Sequence, residues 1–147
     1  MLSDLYTDGV LDAAAAIPPA RRLDAPQASA TKVSRVCGSE VTVDLSLDEG
    51  AVSEFAMEAK ACALGQASAS ILARNIFGAQ ADDLFTLRDE MRAMLKDGGT
   101  PPGGERWRDL AMLAPIREFP QRHASTLLVF EAVCACLNEI RSASDNA

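Results

Sequence analysis

Positive charge is scarce in this sequence: 14 Lys and Arg stand against 21 Asp and Glu, a formal net charge of −7. The attraction that supplies most non-specific nucleic-acid affinity is missing, so nucleic acid and anionic membrane surfaces are not expected partners. No run of about 18 apolar residues occurs, and Met1-Leu2-Ser3-Asp4 does not open an export signal of basic and then apolar residues. The expected location is therefore cytoplasmic. There is no internal repeat, no phosphate-cradling glycine loop, no Ser-His-Asp ordering and no paired-carboxylate pattern, which leaves hydrolase, kinase and glycosidase readings unsupported. Histidine is reduced to His123, whereas four cysteines are present, Cys37, Cys62, Cys134 and Cys136. In a reducing compartment thiols more often bind metal or react than pair.

A chain of 147 residues with 48% hydrophobic content fits one globular domain over residues 1–147. Ser3 is placed to cap a first helix running to about Ala16, which Pro18-Pro19 ends. Residues 20–30, rich in Ala, Pro, Arg and Ser, read as an irregular surface connection. From Glu40 to Leu47 the apolar Val41, Val43, Leu45 and Leu47 alternate with Thr42, Asp44 and Ser46, the period of a half-buried strand. Asp48-Glu49-Gly50 supplies a turn, Ala51 to Met57 the returning strand, and Lys32 to Val36 a third. Helical spacing then predicts Leu64 to Phe77, a segment carrying Leu84 to Leu95, a short helix from Glu105 to Leu113, and a long one after Pro120. Strands followed by segregated helices imply an α+β fold, a three-stranded antiparallel sheet with helices packed on one face.

Two cysteines stand at element ends. Cys37 follows a strand and precedes Gly38, where backbone or ligand can approach closely. Cys62 lies where strand hands over to helix, and a helix N-terminus with Lys60 nearby stabilises negative charge on sulfur. Either cysteine could equally be a small buried hydrophobe. Cys134 and Cys136 are two apart on one helix, face different directions, and read as core or surface thiols. Glu40 and Glu58 lie near the two cysteines in sequence and could each supply an oxygen.

Val36-Cys37-Gly38-Ser39 resembles the Cys-Gly-Asp motif of the U-type iron–sulfur cluster assembly scaffolds, the IscU, SufU and NifU family. Cys62-Ala63-Leu64-Gly65-Gln66-Ala67-Ser68-Ala69-Ser70 is similar to the segment after that family's second cysteine, with Ala-Ser-Ala-Ser at the same offset. Phe119-Pro120-Gln121-Arg122-His123-Ala124-Ser125 resembles the stretch carrying its third cysteine, with Ser125 where that cysteine is expected. The resemblance runs from about Leu2 to Ile140 and implies a SufE/NifU-like fold. It further implies that three cysteines and the motif's aspartate hold zinc or a nascent cluster, with sulfur delivered by a cysteine desulfurase. Here Ser39 replaces the aspartate and Ser125 a thiolate, and a serine hydroxyl is a poor ligand for soft or borderline metals.

His123 is the candidate third ligand beside Cys37 and Cys62. On a regular helix Ser125 lies about 200° round from it, so the two face apart. Cys134 stands nine helical residues, about 13 Å, beyond Ser125 and cannot substitute for it. The expected function is that of a scaffold or sulfur acceptor, not an enzyme, in which Cys37 and Cys62 hold a [2Fe-2S] cluster or zinc weakly. Cys62 is the expected sulfur acceptor, and a second protomer, as in a homodimer, or a desulfurase would complete the site before transfer to iron–sulfur acceptor proteins. The rivals are a metal-free adaptor docking on cluster-assembly partners, and a persulfide sulfurtransferase using Cys62.

Overall fold

The computed structural model describes residues 5–35 and 38–145. Its first helix, α1, spans Asp8–Ala15, and its cap is Thr7, whose hydroxyl accepts from the Val10 amide at 3.2 Å. The expected cap, Ser3, lies outside the described residues. Thr7 satisfies one of the amides that a helix start leaves without an internal partner.

Three strands follow, β1 (Ala28–Val33), β2 (Glu40–Asp48) and β3 (Ala51–Lys60), paired antiparallel in that order. The tight turn between β2 and β3 places Glu49 at φ 51° and Gly50 at φ 83°. Two successive residues at positive φ match the twist of the flanking strands, and glycine takes such a φ without strain. β1 begins four residues before the expected Lys32, and β3 runs three beyond Met57. The cause lies in tertiary pairing, since Ala28 is opposite Leu45 and Glu40 is opposite Lys60.

The alternation along β2 does not make a one-sided strand. Val41, Val43 and Leu45 enter the core as expected, but Asp44 and Ser46 on the other face are buried too. The segment read as an irregular connection crosses that face. Arg22 clamps Asp44 through Nε at 2.7 Å and Nη2 at 2.9 Å, the Leu23 amide and the Ser29 hydroxyl donate to the same carboxylate, and the Gln27 amide donates to Ser46. Burial pushes the Asp44 carboxyl up, but the hydrogen bonds from Arg22, Ser29 and Leu23, with the Arg22 charge, win and hold it down at about 2.

The remaining elements are α2 (Ala63–Asn75), α3 (Ala81–Lys96), a 3₁₀ segment over Arg108–Glu118, a further 3₁₀ turn at Pro120–Arg122, and α4 (His123–Asp145). The amphipathic helix expected over 105–113 is therefore displaced and wound differently. Pro115 has no amide to continue an α-helix, and Leu110, Leu113 and Ile116, all buried, repeat every three residues, the period of the tighter coil.

α4 lies over β1 and β2 and against α2 and α3. Its Phe130, Val133 and Leu137 are buried in the same core as Leu45, Ile71 and Met91. Each such side chain contributes roughly 1.5–3 kcal/mol by leaving water. The span Pro120–Ala143 is long and apolar enough to cross a bilayer, yet 67% of its most apolar window is covered by the fold.

Candidate functional site

The pairing of Glu40 with Lys60 fixes the geography of the site. The loop entering β2 and the residues leaving β3 emerge at one end of the sheet, so the stem of the first cysteine's loop and Cys62 share that end. The stem is closed by two hydrogen bonds, Gly38 amide to Ser34 carbonyl and Ser34 amide to Ser39 carbonyl, both 2.8 Å. Gly38 stands at φ +72°, a conformation that suits glycine, and Ser39 is buried. Cys37 itself lies outside the described residues.

Cys62 is the N-cap of α2, with extended backbone at φ −68° and ψ 172° and no side-chain cap hydrogen bond. Its thiol is half-buried, and its sulfur lies 3.6 Å from the Ser125 hydroxyl in the first turn of α4. The thiol thus stands at the start of α2, where a helix N-terminus carries partial positive charge and amides without internal partners, and beside the first turn of α4, whose leading His123 amide is already bonded to the Pro120 carbonyl. Ser125 is 2% exposed, and its hydroxyl also donates to the Arg122 carbonyl at 3.3 Å.

The close approach of the helices depends on residues that carry no obvious chemistry. A Cβ on Gly65 would stand 2.8 Å from the Ala61 Cβ and 3.2 Å from the Ser125 carbonyl oxygen, so only glycine fits between α2 and α4. One turn later the Ser68 hydroxyl donates to the Thr126 carbonyl at 2.9 Å, tying the helices together. Ala67, Ser68, Ala69 and Ser70 are all fully buried. Read from the sequence, this run resembled a family motif; in the fold its small side chains permit the packing that brings Ser125 to Cys62.

His123 is buried at the first position of α4, but its ring turns to the preceding 3₁₀ segment. Nε2 is 3.0 Å from the Ile116 carbonyl and 3.3 Å from that of Arg117. Both partners are carbonyl acceptors, so Nε2 is the donor nitrogen. His123 and Ser125 are both buried but bond to different neighbours. Glu58 turns toward Arg22, at 3.9 Å, and Glu40 lies opposite Lys60 in the sheet. Among the described residues no three His, Cys, Asp or Glu side chains gather as a metal-holding group.

Cys134 and Cys136 take no part in the site. Both are buried, donating to the Leu84 and Val43 carbonyls, and burial pushes their thiols up to about 11 and about 12. Of the two readings left open, core or surface thiols, the structure has both in the core. The Arg22–Asp44 clamp and the Gly65 contact have no signal in the sequence, since Asp44 stands at a polar position of an alternating strand.

The NifU-like N terminal domain matches residues 5–125. The chain is 46% identical to the N-terminal NifU-like protein of Brucella abortus, whose crystal structure superposes with a TM-score of 0.93 over 96% of this chain and 97% of that one. It is 24% identical over 136 residues to the iron–sulfur cluster assembly scaffold protein IscU of Thermotoga maritima, covering 92% and 94% of the two chains. A SUF-system scaffold from Fervidobacterium islandicum shares the fold at a TM-score of 0.82 and 17% identity, over 90% of this chain and 96% of that one.

Proposed function

The chain belongs to the NifU-like N-terminal domain family, and from that premise we propose that it is a cytoplasmic iron–sulfur cluster assembly scaffold and sulfur acceptor, whose Cys37 and Cys62 hold a labile [2Fe-2S] cluster or zinc. The observation that carries this reading is the half-buried Cys62 sulfur at the joint start of α2 and α4, 3.6 Å from Ser125. A persulfide or cluster sulfur held there would face the amides that the start of α2 leaves without internal partners.

The cluster is cargo, so loose holding is part of the function. With thiolates from Cys37 and Cys62, Nδ1 of His123 and the weak oxygen of Ser125 are the further donors on this chain. A set with two strong ligands releases metal more readily than a closed four-ligand site. Sulfur arrives when a desulfurase persulfide is attacked by the Cys62 thiolate: the donor S–S bond breaks, a new S–S bond forms on Cys62, and the donor departs as thiolate.

Anaerobic reconstitution with iron and sulfide, read by metal analysis and absorption, tests the reading. Wild type retains iron and sulfide, Cys62→Ser loses most of both, and the Cys37→Ser, Cys62→Ser double variant loses the rest. Equally low retention in all three overturns it and leaves the metal-free adaptor. A persulfide trapped on Cys62 of a protein that never holds iron points instead to a sulfurtransferase.

A further inference from the structure

We infer that the groove between the end of β1, the end of α3 and the start of α4 docks an acidic, extended segment of the protein that exchanges sulfur or cluster with this chain. The cavity there measures about 520 Å³ and is lined by Lys32, Val33, Arg92, Lys96, Leu127 and Glu131 among others. For the identity of the partner this inference rests on the scaffold reading; for the docking itself it rests on charge, an open strand edge and position.

The charge is unusual for this chain. Only three lysines occur in a sequence of net charge −7, and two of them, Lys32 and Lys96, line this groove. Neither has an ion-pair partner among the described residues, whereas Arg92 is engaged with Glu131 at 2.6 Å. Arg35 stands exposed just beyond Ser34, and the exposed Asp97 after Lys96 is the nearest carboxylate in sequence. A local positive surplus on an acidic protein selects an acidic partner and repels a second copy of the chain.

The backbone selects an extended one. β1 is an edge strand paired only to β2, and among the described residues its outer edge has no strand beside it. An unpaired edge offers main-chain hydrogen bonds to an added strand. Val33, 54% exposed, offers that strand an apolar contact. Position completes the argument: the groove reaches Ser34, at the stem of the loop carrying Cys37, and Ala124, adjacent to Ser125. A segment seated there brings its own domain to the cysteine end of the sheet.

The test uses the full chain and a fluorescein-labelled dodecapeptide alternating Glu and Val, read by anisotropy. Its affinity is expected to fall with added salt and to drop about tenfold or more in Lys32→Glu/Lys96→Glu. Arg108→Glu, on a remote exposed side chain, leaves it unchanged, and so does Cys62→Ser. The bound peptide slows hydrogen exchange of the Ala28–Val33 amides. Equal binding by the double variant, or by a peptide with Lys in place of Glu, overturns the inference, as does tighter binding of a single-stranded oligonucleotide. So does full displacement by sulfate with the β1 amides unprotected, which marks a simple anion site. If Cys62→Ser retains as much iron as wild type while the peptide behaves as described, the scaffold reading fails and the groove stands.

Discussion

The sulfur of Cys62 and the hydroxyl oxygen of Ser125 lie 3.6 Å apart, joining residues 63 positions distant in the chain at the place where α2 and α4 both begin. Ser125 shares its hydroxyl with the Arg122 carbonyl, so the sulfur has a buried hydrogen-bonding neighbour that is itself held in place.

A thiol in place of that hydroxyl sets a second sulfur beside the first without changing the backbone. Ser125→Cys is expected to slow the loss of iron to a competing chelator by about tenfold or more, because thiolate is a far stronger ligand than a protonated hydroxyl. Ser125→Ala should cost about 1 kcal/mol of stability and leave the retained iron within about twofold. Chelator-competition kinetics on the reconstituted proteins decide it; identical release from wild type and Ser125→Cys places position 125 away from the cargo.

Gly65→Ala inserts a methyl group where 2.8 Å separates it from Ala61 and 3.2 Å from the Ser125 carbonyl. Overpacking costs about 1–3 kcal/mol, against about 1 kcal/mol gained in helix propensity, so a net loss is expected. Urea unfolding measures it. The displaced α4 should also expose Cys62, raising its rate of alkylation by iodoacetamide.

The Asp44 carboxyl, held at about 2 by its clamp, contributes stability that is present above about pH 4 and is lost as pH falls toward 2. The magnitude is on the order of 2 kcal/mol. Asp44→Asn removes this acid limb and lowers stability at neutral pH. Chemical denaturation of both proteins at neutral pH and at about pH 2.5 checks the sign: the gap between them narrows in acid.

Cys134 and Cys136, buried with thiols pushed up to about 11 and about 12, stay protonated and covered at mildly alkaline pH. Iodoacetamide on the native protein should therefore modify the half-buried Cys62 and spare both, and unfolding should expose them. Peptide mapping by mass spectrometry reads the order; early labelling of Cys134 or Cys136 means that α4 opens readily.

Much of the architecture was legible because local periodicity and the core agree. The apolar Val41, Val43 and Leu45 of the Glu40–Leu47 alternation and the three- to four-residue spacing after Leu64 match faces that tertiary packing buries, and the Gly50 turn falls where expected, although Asp44 and Ser46 opposite are buried as well. Reading failed where a partner distant in sequence decided the outcome. Residues 20–30 have no periodicity of their own, and become strand and clamp only because β2 offers an open edge and a buried carboxylate. Likewise a helix pattern over 105–113 yields to the three-residue coil that Pro115 and its buried face impose.

At the site the division is similar. The residue types were evident from the chain alone: Cys62 at a strand-to-helix boundary, serine where the family resemblance expects a thiolate, and two further thiols in a core helix. The sequence could equally determine that Cys134 and Cys136 stand apart from the site, because helical rise is a local property. Only the tertiary structure could bring Ser125 to Cys62, turn His123 toward the Ile116 carbonyl, and set two lysines in one groove beside β1. The approach of Ser125 to Cys62 depends on how closely α2 and α4 pack, and that distance is set by the space at Gly65, which no periodicity encodes.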